Sequence, residues 1–175
     1  MTSSDKSSAE KFVCEPCTFE DVLPFWRDKL WPRRQSPIEP VSAMKWLSGY
    51  RPTRDSAPSF WCVRDGGKVV GVLSGHFAGV IDGSMVDLDE EIRSFRIRGI
   101  WVEPEYRRKG VMRVMLEAAF EKARQENCQA VWIFPRQGTA TFYEPFGFRR
   151  MSGWIQNRDS QAGGFGGNCY AIKKI

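Results

Sequence analysis

The sequence predicts a mixed α/β domain: one mostly antiparallel central sheet of about six or seven strands, flanking helices, and a parallel strand–helix–strand crossover at its centre. Three stretches carry this reading. Ile97–Val102 is β-branched and aromatic and runs through a basic turn into an amphipathic helix. Gln129–Phe134 follows that helix as a short apolar strand, and a strand–helix–strand crossover favours parallel pairing. Ser59–Arg64 and Lys68–Phe77 flank Asp65-Gly66-Gly67, the composition of a tight hairpin.

The chain has 175 residues, 42% of them apolar, which suits one domain with its own core. No run of about 18 apolar residues is present to span a bilayer, so no membrane segment is expected. Residues 1–10 are polar and serine-rich, lack the apolar centre of a signal peptide, and read as a disordered tail before one domain over 11–175. Five cysteines at scattered positions imply reduced thiols and a cytoplasmic setting. Cys14-Glu15-Pro16-Cys17 offers two zinc ligands of four, and His76 is the only histidine, so no metal is expected. A formal charge of +5 fits either an acidic ligand or a mildly basic surface. No basic arm or helix-turn-helix pattern points to nucleic acid.

In chain order, Phe12–Cys17 reads as a first strand and Thr18 as the N-cap of a helix of about three turns, with Asp21 completing a capping box. Pro24 constrains the early part of that helix. Trp31 to Pro40 holds three prolines, so it is a stiff, shaped loop on which Trp31 and Arg33 either line a substrate mouth or cap the core. Ser42 to Gly49 reads as a second helix. After the hairpin, Val80–Glu91 is an acidic connecting loop. Thr139–Glu144 reads as a short helix ended by Pro145 and Gly147, Phe148–Ile155 as a strand, 157–167 as a glycine-rich loop, and Asn168–Ile172 as the strand that closes the sheet.

The chemistry concentrates where the central strand meets its helix. Pro104 ends the strand, and Val111, Val114, Met115, Ala118, Ala119 and Ala123 recur at helical spacing, so Lys109-Gly110 stands at a helix entrance. About four unpaired N–H groups and roughly half a positive charge make such an entrance an anion site. Arg107, Arg108 and Lys109 add cations beside it, which suits a ligand with more than one phosphate charge. A solvated basic turn is the plainer alternative.

Two separated motifs now combine. Val102-x-Pro104-x-Tyr106-Arg107-x-x-Gly110-x-Met112, and then Phe142-Tyr143-Glu144-Pro145-Phe146-Gly147-Phe148, together resemble the GNAT superfamily of acyl-CoA-dependent N-acetyltransferases. The resemblance covers about residues 12 to 175. It implies a GNAT-like fold, a single acetyltransferase domain over 11–175, and acetyl-CoA as cosubstrate with no metal. It also implies that main-chain groups of Ile100 and Val102 pair with the pantetheine arm. The amides of Arg107, Arg108, Lys109, Gly110, Val111 and Met112 would hold the pyrophosphate. Met112 departs from the usual glycine or alanine, so either the loop is more open or the Met side chain turns away.

Tyr143 matches the family position that often acts as general acid; the alternative is a packed aromatic. Phe142, Phe146 and Phe148 are expected in the core. A main-chain donor near Val102 would stabilise the oxyanion. Glu103, His76 or an acidic residue of the 82–91 loop are the candidates for general base. Arg96 and Arg98 share a strand face, and Arg98, with Arg33, would recognise a carboxylate or phosphate on the substrate; a salt bridge to the 87–91 stretch is the competing reading. The acceptor expected is a small-molecule or protein amine. A homodimer, a catalytically idle CoA-binding domain and a nucleic-acid-binding protein stay open as alternatives.

Overall fold

The computed structural model of the chain describes residues 12–30, 58–81, 86, 89–156 and 166–175. Trp31, Arg33, the expected helix at 42–49, the expected tail and most of the 82–88 and 157–165 loops lie outside the described residues.

Seven strands form one sheet in the order β1-β2-β3-β4-β5-β7-β6. Strands β1 (Cys14–Pro16), β2 (Ser59–Asp65), β3 (Lys68–Ile81) and β4 (Ile92–Val102) pair antiparallel with their neighbours. Between β4 and β5 (Ala130–Ile133) the pairing is parallel, with helix α2 (Val111–Gln125) crossing over. β7 (Ala171–Lys174) inserts antiparallel between β5 and β6 (Arg149–Arg150). The mostly antiparallel mixed fold is the one expected, but the chain's last strand lies inside the sheet and β6 is its edge.

Local chemistry accounts for the elements near the sequence signals. Gly66 and Gly67 take positive φ angles of 56° and 82°, as a two-residue hairpin turn of primed type requires. Thr18 caps α1 (Phe19–Phe25) with the expected box: its hydroxyl accepts from the Asp21 amide, and Asp21 accepts from the Thr18 amide at 3.0 Å. That amide first, then Arg64 at 2.8 Å, holds the Asp21 carboxyl below its ordinary pKa. A depressed pKa means the stabilisation is full above the ordinary carboxylate range and is lost as pH falls below about 4. Thr18→Ala is expected to lower stability by about 1 kcal/mol in urea unfolding at neutral pH. The loss should shrink in acid, where Asp21 is protonated.

Pro24 has no N–H to give and crowds the preceding turn. Directly after it the helix widens into a π turn over Trp26–Leu30. That turn drives the Trp26 indole, fully buried, onto the sheet, where its Nε1 donates to Ser74 Oγ at 3.2 Å.

Two layers of side chains cover the sheet. On one face α2 buries Val111, Met115, Leu116, Ala119 and Phe120 against Phe95, Ile97, Val131 and Ile133. On the other, Val22 and Trp26 pack on Cys62, Val72 and Trp101. Ile97 and Ile100 both belong to the α2 face, although three residues apart, because β4 carries a bulge: Ile97 pairs with Gly75 and Ile100 with Leu73, so Arg98 and Gly99 together oppose Ser74. Gly99 fits there because a Cβ would stand 2.8 Å from the Trp26 ring. The residue pattern of 97–102 carries no sign of this bulge. Among the described residues no helix is long and apolar enough to cross a membrane.

Candidate active site

The bulge positions the site. β4 and β5 pair only through Ser94↔Ala130, Phe95↔Val131 and Arg96↔Trp132. Beyond Arg96 the bulge bends β4, and the two parallel strands part. The Glu103 amide donates to the Val70 carbonyl at 2.9 Å, so residue 103 faces β3. By the alternation of an antiparallel ladder, Trp101 also faces β3, while the main-chain groups of Ile100 and Val102 face the opened side. One of these is occupied: Arg107 Nε donates to the Val102 carbonyl at 3.1 Å. The Val102 N–H is left as the outward donor.

The helix entrance lies beside this opening. Gly110 precedes α2 at φ 91° with no side-chain cap on the first turn and no acidic residue within it. A Cβ on Gly110 would meet nothing within 4 Å, so the glycine is needed for its backbone angle and leaves open space over the N–H groups. Arg108 also takes positive φ, at 59°. The basic side chains do not all gather at that space. Arg107 folds back over the Trp101 ring at 5.1 Å, and Lys109 lies 5.6 Å from the Tyr106 ring. Val111 is buried under Gly71, where a Cβ would stand 2.7 Å from Val111 Cγ1, so the helix start sits directly on β3. Met112 is partly buried and packs against the main core.

On the far side of the opening, Gln137–Phe146 is a 3-10 segment, longer and tighter than the short helix expected, with Pro145 inside it and Gly147 at φ 89° ending it. Tyr143 is half-buried, its ring edge-on to Phe148 at 6.0 Å, and burial pushes its phenol up to about 12. Phe148 is in the core as expected and stands 6.0 Å from Phe120 of α2. Phe142 is not: it is 64% exposed, because the 3-10 turn rotates it off the face that carries Tyr143 and Phe146. Arg113, exposed on the first turn of α2, lies over the Phe146 ring at 5.4 Å and so bridges the helix entrance and the Tyr143 segment. Sequence reading passed over Arg113, although its place three residues into the helix was a usable signal.

The candidate bases fall in different places. Glu103 is near enough to Lys68 to join Glu105 in raising its pKa. His76 is fully buried opposite Arg96, and its Nδ1 lies 2.9 Å from the Phe77 carbonyl. A carbonyl only accepts, so Nδ1 carries a proton and donates it. Glu90 of the acidic stretch pairs with Lys174 at 2.7 Å.

Cys62 is close enough to act electrostatically on both Cys14 and Cys17, and all three are free thiols whose pKa values are raised, first of all by burial. Among the described residues no group of three or more His, Cys, Asp or Glu side chains is placed to hold a metal.

Comparison with known proteins follows the geometry. The sequence profile of the acetyltransferase (GNAT) family matches residues 20–148. Among solved structures, the NatC complex bound to Gag peptide and CoA contains a chain 16% identical, with TM-score 0.60, covering 94% of this chain and 98% of that one. A GNAT family acetyltransferase from Elizabethkingia anophelis with acetyl-CoA bound is 13% identical, with TM-score 0.57 and coverage of 95% and 99%. Ard1 from Thermoplasma volcanium is 17% identical, with TM-score 0.60 and coverage of 92% and 95%. No curated protein matches the sequence.

Proposed function

Because the chain belongs to the GNAT acetyltransferase family, we propose that it transfers an acetyl group from acetyl-CoA to a primary amine, with residues 11–175 acting as one catalytic domain. The observation that carries this reading is the parting of β4 from β5 beside an uncapped helix start. A thioester arm can lie along the outward groups of Ile100 and Val102 while its pyrophosphate meets the amides of residues 107–112. Arg108 and Lys109 supply nearby charge, and Arg113 is a further cation for the cofactor's phosphates.

In the proposed reaction the neutral amine nitrogen attacks the thioester carbon. The ammonium first gives one proton to a base; then the C–N bond forms, the C–S bond breaks, and the second proton shed by nitrogen replaces the one that Tyr143 gives up. The Val102 N–H donates to the developing oxyanion. Tyr143 gives its proton to the departing thiolate, a role supported by a phenol held neutral well above physiological pH. Glu103 is proposed as the base, through water, with His76 as the second candidate for that step. Arg98 is proposed to attract an acidic group on the acceptor, and Trp31 and Arg33 to border it. A homodimer is compatible with the proposal but not required by it. A reducing, cytoplasmic setting is part of the reading, supported by five free thiols.

Release of CoA thiol from acetyl-CoA against a panel of small amines and peptides tests this. Amine-dependent thiol release is expected; binding of acetyl-CoA without release would instead mark an idle CoA-binding domain.

A further inference from the structure

Arg96 is a buried cation with no carboxylate partner among the described residues. Its residue is 7% exposed at the centre of the sheet, and its Nε has no hydrogen-bond partner among the described residues. Its guanidinium carbon lies 4.3 Å from the centre of the Trp132 ring, an attraction that does not neutralise charge. Trp132 Nε1 is likewise buried without an acceptor. Burial, then the nearby charge of Arg98, pulls the Arg96 pKa down, and only Tyr170 acts the other way. A guanidinium stays protonated in proteins, so one desolvated to this degree is unfavourable until an anion joins it.

The position of Arg96 says which anion. Arg96↔Trp132 is the last pair before β4 and β5 part, so the cation stands at the base of the opening described above. It faces away from the α2 core, beside His76 and near an aromatic row in which Tyr170 lies 5.2 Å from Trp132 and 4.9 Å from Phe134. From Arg96 to Ile100 is four residues, at most about 13 Å of extended strand, and the bulge shortens it. An amine reacting at Ile100–Val102 and an anion at Arg96 must therefore belong to one compact molecule.

We infer that the acceptor is a free amino acid whose carboxylate is bound by Arg96 on the Trp132 ring, with its amine directed to the opened strands. This rests on the acetyl-transfer reading. A planar carboxylate accepts two parallel N–H groups from a guanidinium, which orients the acceptor as well as attracting it. A protein lysine carries no carboxylate at a fixed short distance from its amine and does not meet this requirement.

The test measures thiol release from acetyl-CoA with each common amino acid and with its carboxamide, which has the same shape and no charge. At least one amino acid is expected to exceed its carboxamide in kcat/KM by roughly 100-fold. Arg96→Met should collapse that ratio toward one, mainly through KM, and Arg96→Lys should restore part of it. A merely structural role would lower both acceptors together and keep the ratio. Equal rates for acid and carboxamide in the wild type, or turnover confined to peptide amines, would overturn the inference and leave acetyl transfer standing. Should Arg96→Met fail to fold, the wild-type comparison decides alone. Absence of thiol release with every amine would remove the acetyl-transfer reading and this inference with it.

Discussion

Tyr143→Phe is expected to lower kcat by about 10²–10⁴-fold, the usual contribution of a positioned general acid. Acetyl-CoA affinity and thermal stability should change little, because phenylalanine keeps the edge-on contact with Phe148 and the packing against the core. Burial raises the pKa of the phenol to about 12. The sign follows directly: a raised pKa keeps the acid protonated, so the wild-type rate should not lose this group until pH approaches 12. An alkaline fall in kcat centred near pH 8 or 9 would belong to another group. Steady-state rates across pH for both proteins check the two statements together. Unchanged kcat in the variant would reduce Tyr143 to a packed aromatic.

A second large effect is expected at Gly110, where stability and binding should move independently. Aspartate is among the few L residues that tolerate positive φ, and it is a preferred N-cap. In Gly110→Asp the strain of φ 91° and the gain from capping a bare helix start are each about 1 kcal/mol and oppose one another, so the Tm should shift by no more than about 2–4 °C in either direction. Acetyl-CoA binding should fall roughly 100-fold. The new carboxylate would occupy the N–H groups that a pyrophosphate needs and repel it by about 1–4 kcal/mol at close range. Calorimetric titration beside thermal melts separates the two quantities. Gly110→Ala, which adds strain without charge, should weaken binding less.

What could be read from the sequence divides along local and non-local lines. Thr18 with Asp21, Gly66-Gly67, and Lys109-Gly110 each act on their own few residues, and all three stand where their chemistry puts them. The bulge at Arg98–Gly99 depends on Trp26, more than 70 positions away, whose ring needs the missing Cβ. Nothing in residues 97–102 alone records that. The bulge in turn decides which residues face the opening. The turning back of Arg107 depends on the Val102 carbonyl and the Trp101 ring, so a count of cations overstated the charge at the helix start. Phe142 looked like core because it belongs to an aromatic run, and a 3-10 turn put it outside. For Arg96 the alternation told only that it shares a strand face with Arg98; its burial comes from the parallel neighbour Trp132, a non-local contact.

The central claim is that the opened end of β4 and the start of α2 together receive one acyl-CoA molecule. Amide hydrogen exchange with and without CoA addresses it most directly. Slowed exchange confined to Ile100–Val102 and to Arg107–Val114 is the result this account requires. Saturable CoA binding that leaves both stretches unprotected, or that protects a different surface, would contradict it.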